Sequence, residues 1–128
     1  MVTEQAEVRE LKEGRYVVID GEPCKIVSIS TSKPGKHGEA KARIEAIGIF
    51  DENKKSVVYP VKHRVLVPLI DKRSAQAVSI MGNEVQLMDL ETYEMFNLPI
   101  PEELKGSIKQ GGDVLYLVAM DRKKITRV

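Results

Sequence analysis

Residues 30–38 are the stretch of this chain best suited to interact with another molecule. They read Ser-Thr-Ser-Lys-Pro-Gly-Lys-His-Gly and contain no large apolar side chain, so they contribute nothing to a hydrophobic core. Gly35 and Gly38 permit positive φ, and Pro34 stiffens the chain before them. The amine of Lys36, a flexible cation with several donors, is therefore presented between glycines for another molecule to meet.

The segments on either side must position these residues, and both have the pattern of β-strands. Residues 24–30 are rich in β-branched side chains, and residues 39–50 alternate between apolar and polar positions. We therefore predict that residues 30–38 connect the strands of a long β-hairpin and project from the body of the protein. Loops displayed in this way carry function more often than core segments do.

Composition limits the classes of function. The chain has 128 residues, of which 42% are hydrophobic, enough for one ordinary domain or two very small ones. Charged residues make up 30%, yet the net charge is only +1, which argues against general electrostatic coating of nucleic acid. The positive charge is local instead, because residues 33–43 hold four cations and a single acid.

Cysteine content and hydropathy indicate the compartment. Cys24 is the single cysteine and lies in a strand-like run, which fits a reducing environment and a small buried side chain. No apolar run approaches the ~20 residues that a membrane-spanning helix needs. The first residues are acidic and lack the apolar segment of a signal peptide. We therefore expect a cytoplasmic protein that does not act at a membrane.

The spacing of strands and turns predicts an all-β fold of two small barrels. Over residues 1–70 it predicts five strands, preceded by a polar segment that forms either a loose tail or a short edge strand. Residues 71–128 predict five more strands, with a short helix at residues 101–106 between the third and the fourth. Five strands with one helix in that place are typical of an OB-fold.

Three parts of the sequence resemble the translation factor 5A family, whose bacterial relative is elongation factor P. The stretch Ser-Thr-Ser-Lys-x-Gly-Lys-His-Gly, followed by Ala40 and Lys41, is similar to the modification loop of that family, and eight specified residues in a nine-residue order make the match specific. Residues 11–17 and 49–51 also resemble the family, so the likeness covers essentially the whole chain. Pro34 differs from the threonine that is usual in eukaryotic members and is similar to archaeal ones.

The resemblance implies both a fold and a modification. It implies an SH3-like barrel in residues 1–70, carrying the loop, and an OB-fold in residues 71–128. It further implies that deoxyhypusine synthase transfers an aminobutyl group from spermidine to Lys36, giving deoxyhypusine, which some lineages hydroxylate to hypusine. We expect no other cofactor. The remaining loop residues are Ser32, Lys33, Pro34, Gly35, His37 and Gly38.

The resemblance also implies a translation factor that binds the ribosome beside peptidyl-tRNA. Such a factor promotes peptide-bond formation, notably at proline-rich stalls, and modified Lys36 would place cationic donors against phosphate or 2′-hydroxyl oxygens. Its partners would be ribosomal RNA and peptidyl-tRNA, and we expect a monomer. From the location of charge alone we predict four further RNA contacts: Lys25, Lys33, Lys41 and Arg43.

General single-stranded RNA binding by the second barrel is an alternative function. OB-folds bind single strands through exposed aromatic side chains, and this one offers Tyr93, Phe96 and Tyr116. Against it, residues 69–128 hold eight Lys or Arg and nine Asp or Glu. Tyr116 also lies in the most apolar strand, where a place in the core is the better interpretation.

Catalysis is a third class, and the sequence gives it little support. Cys24, His37 and His63 are the only thiol and imidazole groups, and they show no metal-ligand spacing. No nucleophile, base and orienting group come together in the sequence. We therefore predict no catalytic residue and no metal site.

Overall fold

The computed structural model describes residues 2–32 and 40–128, and its regular secondary structure is almost entirely β-strand. The chain divides into two compact units, unit 1 (Met1–Leu69) and unit 2 (Ile70–Val128). No helix in the described part is long and apolar enough to cross a membrane. The predicted all-β class with two small barrels is confirmed.

The described residues of unit 1 form six strands and one 3₁₀ turn. In chain order they are β1 (Thr3–Glu7), the turn Val8–Glu10, β2 (Tyr16–Ile19), β3 (Glu22–Ser32), β4 (Lys41–Gly48), β5 (Lys54–Pro60) and β6 (Arg64–Pro68). Strands β2 to β5 form an antiparallel sheet in chain order, and β1 pairs with β6. The polar N-terminal segment is therefore an edge strand and not a loose tail, since Thr3 pairs with Pro68 and Glu7 with Arg64.

The two sheets of unit 1 enclose one apolar core. Strict alternation along β4 buries Ala42, Ile44 and Ala46 and turns Lys41 and Arg43 to solvent. Each large aliphatic side chain that is fully buried contributes about 1.5–3 kcal/mol. The other buried members of this core are Val8, Leu11, Val17, Ile19, Cys24, Ile26 and Val65. Short strands closed around a core in this way form an SH3-like barrel.

A β-bulge at Val27 reverses the alternation of β3. Ile26 pairs with Ala46 and Ser28 with Glu45, so Val27 is an extra residue, and it is 53% exposed. Inward positions are therefore even-numbered before the bulge and odd-numbered after it. As a result, three serines share the outer face of the sheet with the charged residues of β4: Ser28, Ser30 and Ser32.

Unit 2 contains five strands and one 3₁₀ turn. These are β7 (Ile70–Met81), β8 (Glu84–Asp89), β9 (Met95–Pro99), the turn Glu102–Leu104, β10 (Asp113–Ala119) and β11 (Arg122–Arg127). Their order in the antiparallel sheet is β11-β10-β7-β8-β9. Counted within the unit, this is fifth, fourth, first, second and third, the strand order of an OB-fold.

The helix expected at residues 101–106 is a single 3₁₀ turn, Glu102–Leu104. Pro101 before it is extended, with ψ 143°, and provides no side-chain cap. Gly106 after it adopts φ +84°, a left-handed conformation that ends the turn. Only four residues lie between these two, which is about one helical turn, so no longer helix forms.

The core of unit 2 lies inside its curled sheet, and the edge strands β9 and β11 are linked across the opening. Lys123 of β11 places Nζ 4.7 Å from the ring centroid of Phe96 on β9. The same Nζ lies 3.5 Å from Oε1 of Glu94. The buried core residues are Ala75, Ala77, Val85, Leu87, Ile108, Val114, Tyr116 and Ile125.

Candidate functional site: the end of the β3–β4 hairpin

The paired strands that the sequence predicts on either side of the loop are present. β3 and β4 pair from Cys24 and Gly48 to Ser32 and Lys41, with one shift of register at the Val27 bulge. The carbonyl of Ala40 accepts a hydrogen bond from the N–H of Val61 at 3.0 Å, which ties the start of β4 to the segment after β5. Ser32 and Ala40, which flank residues 33–39, therefore lie at one defined end of the sheet.

Most of the predicted loop lies beyond the described part of the chain. Lys36 is in residues 33–39, together with Lys33, Pro34, Gly35, His37 and Gly38, so the roles assigned to these six residues remain predictions. Ser32 is described. It is the last residue of β3, and its side chain is exposed.

The three described residues that were predicted to contact RNA lie on one face of the sheet. Lys25, Lys41 and Arg43 are all exposed on the outer face. Lys41 and Arg43 lie together at the loop end, but Lys25 pairs with Ile47. Because Ile47 is six residues along β4 from Lys41, Lys25 lies about 20 Å from the loop end. The structure thus brings two of the three together.

The loop end of this face combines cations with hydroxyl groups. Lys41 pairs with Ser32, and Arg43 pairs with Ser30. The Nε of Arg43 is 3.5 Å from Oε1 of Glu45, but both side chains are more than half exposed, so this ion pair is weak. Lysine, arginine and serine are residues that contact the sugar-phosphate backbone of nucleic acids. Sequence analysis assigned Ser32 to the loop, but it could not predict that Ser30 and Ser32 share this face, because only the bulge in β3 turns them outward.

The inner side of the hairpin end borders an open cavity of about 300 Å³. The 3₁₀ turn after β1 supports its wall, since the N–H of Arg9 donates to the carbonyl of Val61 at 3.0 Å. The lining is mostly apolar and consists of Val8, Arg9, Leu11, Ile29, Thr31, Ala40, Ala42 and Val61. Among these described lining residues, no nucleophile lies in contact with a base.

Cys24 and His63, two of the residues considered for catalysis, lie in different environments. Cys24 is fully buried, its Sγ donates to the carbonyl of Glu22 at 3.4 Å, and burial raises the pKa of the thiol. A reactive thiol needs the opposite shift. His63 is exposed and stacks on Tyr59. Within residues 2–32 and 40–128, no group of three or more His, Cys, Asp or Glu is placed to hold a metal ion.

Two of the three aromatic residues considered for single-strand binding pack in or against the core of unit 2. Phe96 packs on Tyr116, with ring centroids 5.0 Å apart, and Tyr116 is 2% exposed. Only Tyr93 is well exposed, at 69%. A stacking platform for a single strand needs successive exposed rings, so the structure does not favour this alternative.

Tyr116 belongs to a polar network that sequence analysis does not identify. Its hydroxyl donates to the buried carboxylate of Asp89, which also accepts two hydrogen bonds from Arg73. The guanidinium group of Arg73 holds the pKa of the Asp89 carboxyl well below its usual range. The network joins β7, β8 and β10, so its role is to hold unit 2 together.

Known proteins resemble the chain in sequence over nearly its full length. Residues 2–63 match the family described as translation initiation factor 5A-like, N-terminal. The chain is 58% identical to translation initiation factor 5A of Archaeoglobus fulgidus over 98% of each chain. It is 61% identical to the factor of the same name from Methanosphaera stadtmanae, over 99% of this chain and 96% of the relative.

Solved structures give the same result. The chain superposes on a eukaryotic translation initiation factor 5A from Methanococcus jannaschii with a TM-score of 0.90 and 55% identity, covering 98% of this chain and 93% of the other. For a translation initiation factor 5A family protein from Naegleria fowleri the TM-score is 0.81 at 35% identity, covering 99% and 98%. The resemblance found in the loop sequence is therefore confirmed, and this chain belongs to the translation initiation factor 5A family.

Proposed function

We propose that this translation factor binds the ribosome beside peptidyl-tRNA and promotes peptide-bond formation through Lys36, modified to deoxyhypusine or hypusine. The main support is the pairing of β3 and β4 up to Ser32 and Lys41, which brings both ends of the Lys36 segment to one end of the sheet. Membership of the family and the specific loop sequence around Lys36 agree with this placement.

The modified side chain would act by position. It is longer than lysine and carries two amines, so it would supply cationic donors beyond the reach of an unmodified lysine. These donors would hold the acceptor end of the tRNA in reactive geometry when a nascent peptide, especially one rich in proline, pulls it away. The ribosome performs the chemical step, and the factor has no turnover of its own.

The outer face of the hairpin would hold the factor in place. Lys41 and Arg43 lie next to the loop and are suited to phosphate oxygens of ribosomal or transfer RNA. Unit 2 would add a docking surface. Deoxyhypusine synthase would act on Lys36 with spermidine as the donor, and the place of action would be the cytoplasm, where ribosomes translate.

The mass of the peptide that contains Lys36, taken from protein of the native cell, tests this proposal. We expect an added aminobutyl group, and one further oxygen if hydroxylation follows. Protein made in a bacterium serves as the control, because it lacks the modifying enzyme. An unmodified Lys36 in native protein would contradict the proposal.

A further inference from the structure

Tyr59 and His63 form an aromatic stack at the end of unit 1 that borders the loop. Their ring centroids are 4.6 Å apart, and the ring planes differ by 20°. Tyr59 is half-buried, packs on the core and pairs with Ala42 of β4, whereas His63 is exposed. Because Tyr59 covers one face of the imidazole, the exposure of His63 leaves the other face to a partner.

Backbone hydrogen bonds fix this stack at the loop end of the β3–β4 hairpin. The N–H of His63 donates to the carbonyl of Pro60 at 2.9 Å, and the carbonyl of His63 accepts from the N–H of Val8 at 2.9 Å. The N–H of Val61, in the same turn, donates to the carbonyl of Ala40, which immediately precedes β4. A ring held in this way loses little conformational freedom when a second ring stacks on it, which favours binding.

The charges around the stack are positive. Lys62 and Arg64 flank His63, and Lys41 pairs with Pro60 in the sheet. None of these three cations forms an ion pair with another described residue. The cross-strand partner of Arg64 is the acidic residue Glu7, and its carboxylate is engaged by Arg9 at 3.2 Å. A fixed ring among cations that have no ion-pair partner in residues 2–32 and 40–128 is suited to binding single-stranded nucleic acid.

We propose that the Tyr59–His63 stack is a binding site for one unpaired RNA base. The base would lie on the free face of His63, while Lys62 and Arg64 contact the neighbouring phosphates. The inference rests on the proposed function in that the ligand is RNA of the translation machinery. It does not depend on the modification of Lys36.

Short single-stranded RNA provides the test, with the full-length chain made in a bacterium so that Lys36 is unmodified. Two single-stranded RNAs of equal length are compared. The first carries a base at every position, and the second is abasic at its central positions. We expect tighter binding of the base-bearing strand, a loss of at least about fivefold for His63→Ala, and little loss for His63→Phe, which keeps a ring. The abasic strand should bind wild type and His63→Ala equally.

The matched control is Tyr93→Ala, which removes the exposed tyrosine of unit 2 and should leave both affinities unchanged. Equal binding of the two strands by wild type would overturn the proposal, as would an equal loss for His63→Phe and His63→Ala. If His63→Ala lowers stability, NMR of the wild-type protein with the base-bearing RNA still tests the proposal. A base stacked on His63 must move the imidazole proton resonances upfield. An unshifted resonance would overturn the site and leave the role of Lys36 unaffected.

Discussion

The guanidinium group of Arg73 donates two hydrogen bonds to the carboxylate of Asp89, from Nε to Oδ2 at 2.7 Å and from Nη2 to Oδ1 at 3.0 Å. Asp89 is 1% exposed, and its Oδ1 also accepts from the N–H groups of Glu91 and Thr92, at 2.8 and 2.9 Å. The pair therefore connects β7 with β8 and fixes the turn that follows β8. Charge-assisted, two-point hydrogen bonds of this kind are among the strongest in proteins.

Asp89→Asn is expected to lower the free energy of unfolding by about 2–4 kcal/mol. The amide keeps the shape but removes the charge and replaces one acceptor with a donor, which leaves Arg73 without its main partner. Urea denaturation followed by circular dichroism measures the effect. Glu91→Gln is the control, because Glu91 lies 3.5 Å from Arg73 but is 80% exposed, and it should change little. Equal stability of the two variants would contradict the assignment.

Tyr116 should make stability depend on alkaline pH. Burial, followed by the hydrogen bond to Asp89, raises the pKa of Tyr116 to about 12. Because the folded-state pKa lies above the unfolded value of about 10, this contribution to stability is complete below pH ~10 and is lost as the pH rises toward 12. Absorbance of tyrosinate at 295 nm should show a late titration step that Tyr116→Phe removes. A single step near pH 10 in wild type would rule this out.

Gly48→Ala is expected to destabilise unit 1 by about 1–3 kcal/mol through a steric clash. A Cβ at Gly48 would lie 1.7 Å from Oδ1 of Asp51. That carboxylate accepts from the N–H of Asn53 at 3.0 Å and from Nζ of Lys55 at 3.1 Å, and these bonds resist its displacement. In a double-mutant cycle, adding Asp51→Ala should cost less than the sum of the single changes. Strict additivity would show that the clash is not the cause.

Lys36→Arg should separate function from stability. The thermal midpoint should move by no more than about 1–2 °C, since residues 30–38 contain no large apolar side chain. Modification and rescue of polyproline synthesis should both be lost, because a guanidinium group stays protonated and is not a nucleophilic amine. A polyproline translation assay with the native modifying enzyme present measures this. Full rescue by the arginine variant would contradict the proposed mechanism.

The double variant Lys41→Gln and Arg43→Gln should weaken ribosome binding in a salt-dependent way. If each cation contacts one phosphate, the slope of log affinity against log salt should fall by about 1.5 in magnitude. Titration of labelled factor against ribosomes at several salt concentrations provides the slope. Lys109→Gln, which removes an exposed cation of unit 2, is the control for general charge effects. An unchanged slope in the double variant would exclude this face as a phosphate contact.

Much of the fold could be predicted because it depends on local patterns. The alternation along β4 and the turn residues around it are visible in the sequence, and they predict the hairpin and its outward cations. The Arg73–Asp89 pair was not predictable, because the two residues are 16 positions apart and meet only through the register of β7 and β8. The stack of His63 on Tyr59 was not predictable either, because it depends on the backbone conformation of the turn after Pro60. The loop chemistry was predicted from a family motif, and periodicity does not provide it.

The extra residue at Val27 lets a single strand combine two opposite alternation patterns. If the same residues alternated without a bulge, Ser28 would face the core while Ile29 and Thr31 faced water. Removing Val27 itself would leave Ile26 and Ile29 facing the core, because the pairings on either side of the bulge would become consecutive. A point substitution on the outer face changes one side chain, whereas a displaced bulge would exchange the two faces of the strand over every residue that it passes. The position of the bulge is thus as much a determinant of the surface beside the loop as the identity of any one residue there.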